Sequence, residues 1–314
     1  MIILGAGMAG LLAAYINPKA TIFEAADSPP NNHSAVLRFR TPNIGQITGM
    51  PFREVQVHKS VYFDNALHQS VTPLMANLYS RKVSGKIINR SIWNLDTASR
   101  YIAPHDFNMQ LLDMMGARIN YGHKVLSIGQ NSIATSQAPC IERIGQPIIS
   151  TMPMPILAKA IGIEIGETFS FQAIKTERWK IANCDVFQTV YFPDPCISLY
   201  RASITGDELI LESIINLERL DEEAPSVIAG DVFGLHYSDM QLLSKKEQTY
   251  GKIAPINDSK RKGFMFDASH QLGVYSLGRF ACWRNILLDD VYNDIFKLRQ
   301  MINQSPYDII KEHS

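Results

Sequence analysis

The sequence has few cysteines, no long apolar run and no excess of charge of either sign. The four cysteines are far apart and form no C-x-x-C motif: Cys140, Cys184, Cys196 and Cys282. Because no histidines and cysteines have zinc spacing, no metal site is predicted, and we expect buried, reduced thiols as in a cytoplasmic protein. No apolar run approaches the roughly 20 residues of a membrane span, so no membrane partner is predicted. Residue 1 already begins a predicted strand, which argues against a signal peptide.

Charge and size exclude further classes of protein. Basic and acidic residues number 30 each among 314 residues, so net charge does not support a nucleic-acid partner, although a local basic groove is compatible with this balance. The length suits one large or two ordinary domains, and nothing indicates an oligomeric state. The sequence contains no G-x-S-x-G, H-E-x-x-H or P-loop motif, so the enzyme classes built on them are not predicted.

The first 24 residues contain a dinucleotide-binding pattern in its full context. The apolar run Ile2–Leu4 predicts a buried strand, and Gly5–Gly10 matches G-x-G-x-x-G. Leu11–Tyr15 then predicts a helix, and Ala20–Phe23 a second strand that ends at Glu24. Strand, glycines, helix, second strand and acidic residue occur together in dinucleotide-binding βαβ units.

Each glycine of this motif has a physical role in such a unit. Gly5 allows the tight turn, Gly7 lets a pyrophosphate approach the backbone, and Gly10 lets the helix pack against the strand. The helix N-terminus offers free N–H groups to the phosphates, and Glu24 can accept a hydrogen bond from a ribose hydroxyl. An acidic residue there disfavours NADP, but the motif alone does not separate NAD from FAD.

Later segments predict a mixture of elements. Alternation over 36–40 predicts a strand with Arg38 and Arg40 on one face, where they either contact phosphates or are solvated. We expect helices at 65–83 and at 106–115.

The second half of the chain predicts a change of architecture. Alternating segments between 167 and 217 are typical of an antiparallel sheet, which we interpret as part of a second, inserted domain. We expect helical structure at 218–250, a strand at 273–278 and a helix at 285–301.

Together these segments resemble the FAD-binding flavoproteins that include amine oxidases, protoporphyrinogen oxidases and UDP-galactopyranose mutases. The first 26 residues carry the common part of the resemblance, and 148–153 resembles the strand and turn that return to the FAD domain. The segment 255–258 resembles a Pro-Val-Asn-Asp stretch near the substrate pocket of the mutases. The segment 275–284, followed by Asp289, resembles their C-terminal Gly-Arg element, so FAD is the cofactor implied.

The resemblance implies a fold class and domain boundaries. It predicts an α/β protein with a doubly wound, Rossmann-like FAD-binding domain and an inserted α+β substrate domain that contains an antiparallel sheet. The FAD-binding domain would comprise 1–60, 105–165 and 260–314, and the substrate domain 61–104 and 166–259.

The resemblance also implies the residues that contact the cofactor. The phosphate side would be formed by the glycine loop and Arg38, the ribose and adenine side by Glu24 and its neighbours, and the flavin side by two C-terminal segments. The implied set is Gly5, Ala6, Gly7, Met8, Ala9, Gly10, Glu24, Ala25, Arg38, Val125, Gly278, Arg279, Leu288 and Asp289.

Departures from the family weaken the UDP-sugar interpretation. Ile253 and Ala254 stand where the mutases carry two tyrosines, whereas Arg201 resembles an arginine that meets the sugar-nucleotide diphosphate. Arg201 is either an anion anchor or part of a structural ion pair. Lys252, just before the pocket-lining proline, is either a catalytic lysine near the flavin or an exposed one.

We therefore expect an FAD-dependent oxidoreductase of a small-molecule, amine or amino-acid-like substrate, with Lys252 and Arg201 as catalytic candidates. A non-redox mutase, transferase or lyase and a non-catalytic flavin-binding module are the alternatives.

Overall fold

The computed structural model describes residues 1–29, 36–89, 91–217 and 224–303. Within them the helices are Met8–Ile16 (α1), Asn43–Thr48 (α2), Pro73–Ser84 (α3), Phe107–Met115 (α4), Met154–Ile161 (α5), Pro225–Phe233 (α6), Asp258–Leu272 (α7) and Leu288–Asn303 (α8). The strands are Ile2–Leu4 (β1), Thr21–Phe23 (β2), Arg38–Phe39 (β3), Arg53–Phe63 (β4), Ala66–His68 (β5), Ala98–Ile102 (β6), Ile119–Asn120 (β7), Val125–Ile128 (β8), Ser132–Thr135 (β9), Ile141–Glu142 (β10), Ile148–Ser150 (β11), Phe171–Ile181 (β12), Val186–Tyr191 (β13), Leu199–Gly206 (β14), Glu208–Ile214 (β15), Met240–Ile253 (β16) and Val274–Ser276 (β17).

A parallel five-stranded sheet carries the N-terminal motif. Its order is β17-β11-β1-β2-β7, so the first strand lies at the centre. Ile3 faces a core that includes residues of α1, α4 and α8, whereas Ile2 and Leu4 face a core that includes residues of α5 and α7. Because both faces of the sheet are covered by helices, its central strand β1 is a continuous apolar run that is buried throughout, as the sequence predicted.

The second sheet has nine strands and is mixed. Its order is β16-β12-β15-β14-β13-β4-β6-β3, with β5 paired to β4. All of its pairings are antiparallel except that of β4 with β13. One core joins this sheet to α6, and another joins it to α3. A smaller antiparallel sheet, β10-β9-β8, completes the strand pairing of the described chain.

The expected α/β architecture is present, with helices on both faces of a parallel sheet and a separate, largely antiparallel sheet. The segments of the parallel sheet are scattered along the chain from residue 2 to residue 276. The boundaries between an FAD-binding and a substrate domain stay a prediction.

Two predicted helices are wrong in part. Ala66 and Leu67 belong to β5, because Asp64 and Asn65 adopt positive φ angles of 53° and 54° and turn the chain into a hairpin. The helix therefore starts only after Thr72, whose hydroxyl accepts a hydrogen bond from Met75 N at 3.3 Å.

In its described part, the interval 218–250 is α-helical only over Pro225–Phe233, with a single 3-10 turn at Tyr237–Asp239. From Met240 it is strand, and the charged residues of β16 lie on the edge of the mixed sheet. An edge strand needs few apolar residues, so the apolar alternation that normally signals a strand is missing there. Residues 218–223 lie outside the described residues.

The cysteines differ in exposure. Cys282 is buried and Cys184 is half-buried, but Cys140 and Cys196 are exposed, so the expectation of buried thiols is wrong for these two. Within the described ranges, no helix combines the length and apolar character needed to cross a bilayer.

Candidate functional site

The glycine loop is built by close backbone contacts. Gly5 has a φ of 98°, and a Cβ there would lie 2.3 Å from Thr151 Oγ1. A Cβ on Gly10 would lie 1.9 Å from the carbonyl oxygen of Gly5, so α1 packs against the loop at a distance that only glycine allows. A Cβ on Gly7 would meet no heavy atom within 4 Å. The loop is therefore closed on its protein side and open at Gly7.

The start of α1 can receive an anion. Gly7 is the N-cap and supplies no side-chain cap, and the first turn, which contains Met8 and Ala9, has no acidic residue. The first N–H groups of a helix have no partner inside the helix and carry a partial positive charge. With the cradle at Gly5 and Gly10, this geometry fits the pyrophosphate of a dinucleotide.

Glu24 closes the loop on the side predicted for ribose. Its carboxylate accepts hydrogen bonds from Ala6 N at 2.6 Å and from Ala26 N at 2.9 Å. Ala25, the residue that follows Glu24, is exposed. Burial, and then the charge of Glu24, raise the pKa of Tyr121. Val125 starts β8 nearby and pairs with Thr135. The ribose and adenine candidates thus adjoin one edge of the loop.

The C-terminal Gly-Arg element returns to the N-terminal loop. Gly278 has a φ of 92°, and a Cβ there would lie 2.9 Å from the Cβ of Ala9. Arg279 donates from Nη2 to the carbonyl of Gly251 at 3.2 Å, which ties the same element to β16. Sequence segments at opposite ends of the described chain therefore meet beside α1, at the edge where β1 and β17 end.

Trp283 provides a second contact between the Gly-Arg element and the segment that follows β16. It is 1% exposed, and its Nε1 donates to Ala254 O at 2.9 Å. Its φ of 45° is unusual for a bulky residue and marks a constrained backbone. Ile253 and Ala254 are each 1% exposed, so the positions at which the mutases carry tyrosines are core positions in this chain.

Arg38 is engaged by the mixed sheet. Its guanidinium donates to Thr189 Oγ1 at 2.7 Å and to Thr205 Oγ1 at 3.1 Å, and also to the carbonyls of Gln188 and Ile204. Burial, and then the charge of Arg201, lower the pKa of Arg38 to about 9. Its acceptors are all uncharged, and they hold β3 against β13 and β14. The solvated alternative considered for Arg38 does not describe this side chain.

The start of α8 is held to the segment after β3. Asp289 is 5% exposed, and its Oδ1 accepts from Arg40 N and Thr41 N at 3.0 Å each. Arg40 pairs with Asp290 at 2.5 Å. Oδ1 of Asp289 serves these contacts, whereas its buried Oδ2 has no hydrogen-bond partner among the described residues and lies 3.8 Å from Arg40 Nε. The flavin contacts implied for Leu288 and Asp289 stay a prediction.

The two catalytic candidates lie in one cluster on the mixed sheet. Arg201 forms an ion pair from Nε to Glu212, whose other oxygen accepts from Tyr200 Oη at 2.8 Å. Lys252 Nζ lies over the ring of Tyr200, 4.4 Å from its centroid. Arg201 is therefore in an ion pair, and Lys252 is half-buried beside the same group.

Glu212 is held in its charged form. Its burial disfavours the charge, but Arg201 and Lys252, with hydrogen bonds from Arg201 and Tyr200, outweigh burial and lower its pKa from 4.5 to about 2. The same carboxylate outweighs burial at Arg201 and raises the pKa of its guanidinium. Arg38 and Arg201 both lie near this single carboxylate, so the local charge is positive.

Sequence reasoning missed Tyr200, Glu212 and Thr151. Glu212 had a detectable signal, because an acidic residue that directly follows the apolar residues Leu209–Leu211 must find a partner when the strand is buried. Thr151 had none, since its contact with Gly5 depends on the parallel pairing of β1 with β11. No group of three or more potential metal ligands occurs among the residues that the structure describes.

No protein-family model and no curated protein matches this chain. Solved structures do match over almost its whole length. Reduced UDP-galactopyranose mutase has a TM-score of 0.66 at 13% identity, covering 97% of this chain and 94% of its own. Putrescine oxidase has 0.57 at 9% identity, covering 99% and 98%, and a flavin-dependent brominase has 0.56 at 11%, covering 99% and 82%. At these identities the likeness shows the fold. The sequence resemblance to flavoenzymes is therefore confirmed at the level of fold.

Proposed function

We propose that this chain is an FAD-dependent oxidoreductase that oxidises an amine or amino-acid-like substrate. One observation carries the proposal: the Gly-Arg element touches the glycine loop through Gly278 and touches β16 through Arg279. The end of β16 thus connects the cofactor candidates to the cluster formed by Lys252, Tyr200, Glu212 and Arg201.

The residues present fit the cofactor. The cradle at Gly5 and Gly10 and the open space at Gly7 suit a pyrophosphate, and Glu24 adjoins the loop as a ribose partner. When bound, FAD would supply a hydride acceptor at flavin N5.

The protein side chains would bind and orient the substrate. The side chain of Arg201 is 28% exposed beside its ion pair, and its guanidinium would be the anchor for a substrate carboxylate. Lys252 would hold a water or a proton at Nζ next to the reacting carbon–nitrogen bond. The positive local charge favours a substrate that carries a carboxylate over a simple diamine.

The test starts from protein loaded with FAD and mixed anaerobically with amines, amino acids and sugar nucleotides. We expect an amine or amino acid to bleach the flavin absorbance without added reductant. Activity on sugar nucleotides only after chemical reduction would instead support the mutase alternative. Retained flavin that no organic donor bleaches would support the non-catalytic alternative.

The substitution Lys252→Met should slow bleaching by about 100-fold with little change in FAD affinity. Lys245→Met is the matched control, since Lys245 lies on the same strand, is 51% exposed and pairs with Glu177 at 3.1 Å. Equal rates in the two variants would exclude a catalytic role for Lys252.

A further inference from the structure

A cavity of about 420 Å³ lies at the edge of the parallel sheet opposite the glycine loop. Pro147 and Gly273 line it, and each directly precedes a strand of that sheet, β11 and β17. The glycine loop follows the other end of β1. The cavity is therefore separate from the proposed cofactor edge.

Arg143 is the charged residue of this cavity among the residues that the structure describes. The rest of the lining is polar but uncharged, or aliphatic, and its polar side chains are Gln130, Asn131, Gln146, Gln271 and Tyr275. No carboxylate belongs to this described lining, so the site has positive charge and several amide donors.

Arg143 is fixed in place but incompletely satisfied. The residue is 5% exposed, its Nε donates to Gln130 O at 3.0 Å, and its Nη2 donates to Leu272 O. Its Nη1 is buried and has no hydrogen-bond partner among the residues that the structure describes. A buried guanidinium nitrogen without an acceptor is costly, and an anion bound in the cavity would offset part of the uncompensated charge of this guanidinium.

The acceptors that Arg143 does have are neutral carbonyls, which do not balance its charge. Burial accordingly lowers the pKa of the guanidinium. The two carbonyls come from the loop after β8 and from the end of α7, so the side chain is anchored on two sides. A side chain anchored in this way is already ordered before a ligand arrives, which reduces the entropy lost on binding.

We propose that this cavity binds a small oxyanion, a carboxylate or a phosphate, with Arg143 as the charged partner and the surrounding amides as further donors. Planar recognition of oxyanions by a guanidinium is the chemistry that the residues offer.

The experiment uses protein saturated with FAD, so that the cofactor's own phosphate site is filled. Thermal unfolding is followed at increasing inorganic phosphate or acetate, with chloride holding ionic strength constant. We expect a saturable rise of the unfolding midpoint, roughly 2 °C at a tenfold excess over the dissociation constant. A response to phosphate, to acetate or to both identifies the class of oxyanion that the cavity binds. The absence of a saturable response to either anion would overturn the proposal.

The substitution Gln271→Glu locates the effect, because it adds a carboxylate at an exposed lining position while leaving Arg143 in place. It should weaken anion binding at least about tenfold, measured against the variant's own anion-free midpoint. Gln241→Glu, at an exposed position on the mixed sheet, should respond like the original protein. An unchanged anion response in Gln271→Glu would place binding elsewhere and overturn the proposal.

Discussion

The edge of the parallel sheet and the polar cluster of the mixed sheet are made in different ways. At the edge, close approaches leave no room for a Cβ: one on Gly10 would collide with the Gly5 carbonyl, one on Gly5 with the Thr151 side chain, and one on Gly278 with the Cβ of Ala9. In the cluster, long side chains from separate strands meet, and Arg201 and Glu212 balance each other's charge. The first region depends on the absence of a Cβ at its glycines, and the second depends on the pairing of opposite charges. Mutations should therefore destabilise the two regions for different reasons, steric collision in the first and an unpaired buried charge in the second.

The largest effect is expected at the edge. Gly10→Ala should destabilise the fold by more than about 4 kcal/mol, since its Cβ would lie 1.9 Å from the Gly5 carbonyl oxygen. Gly7→Ala is the matched control and should cost less than about 1 kcal/mol while weakening FAD binding, because the space beside Gly7 is open. Chemical denaturation and flavin fluorescence titration measure the two effects. Similar losses of stability in Gly10→Ala and Gly7→Ala would contradict the proposal that, of these two positions, only Gly10 excludes a Cβ.

An intermediate and pH-dependent effect is expected in the cluster. The depressed pKa of Glu212 means that the folded protein favours the charged carboxylate, which contributes about 3 kcal/mol at neutral pH. This contribution is fully present above the ordinary pKa of 4.5 and is lost as the pH falls from 4.5 towards 2. Glu212→Gln should therefore lower stability at pH 7 and flatten the acid dependence in that window. Denaturation curves that stay parallel for both proteins from pH 7 to pH 3 would contradict this assignment.

The smallest effect of the three concerns Arg38, for which the sequence resemblance implies a phosphate contact but which is engaged by the mixed sheet. Arg38→Met removes donors from Thr189, Thr205 and two carbonyls and should cost about 2 kcal/mol. FAD affinity of the folded protein should change less than about threefold, because the sheet already occupies these donors. The opposite pattern, weak FAD binding with unchanged stability, would support the phosphate contact predicted from the sequence.

The same contrast explains what the sequence could predict. The edge depends on a short motif whose members are neighbours in the chain, and strands, helix α1 and Glu24 were predicted close to their observed positions. The Gly-Arg element was found only through a family resemblance, and its contact with Ala9 is a property of the folded sheet.

The cluster could be predicted only in part, because its pairs are set by strand register. Arg201 stands opposite Glu212 after an irregularity in the pairing of β14 with β15, which no sequence spacing encodes. Helix α7 was not predicted, since its buried apolar positions are sparse: of its 15 residues only Arg261, Phe264 and Ala268 are buried, and the first of these is charged. Its Asn257 cap, which accepts from Lys260 N at 3.1 Å, was the available signal.

The position of β17 has a consequence for how the protein is made. Residues 2–4 and 274–276 are strands of one sheet, so pairing depends on contacts between distant parts of the chain, which slows folding. On the ribosome, a chain that has not yet exposed β17 still lacks the Gly278 side of the cofactor edge. The proposed cofactor would therefore stabilise this edge only late in synthesis, and until then the N-terminal motif would have to persist without it.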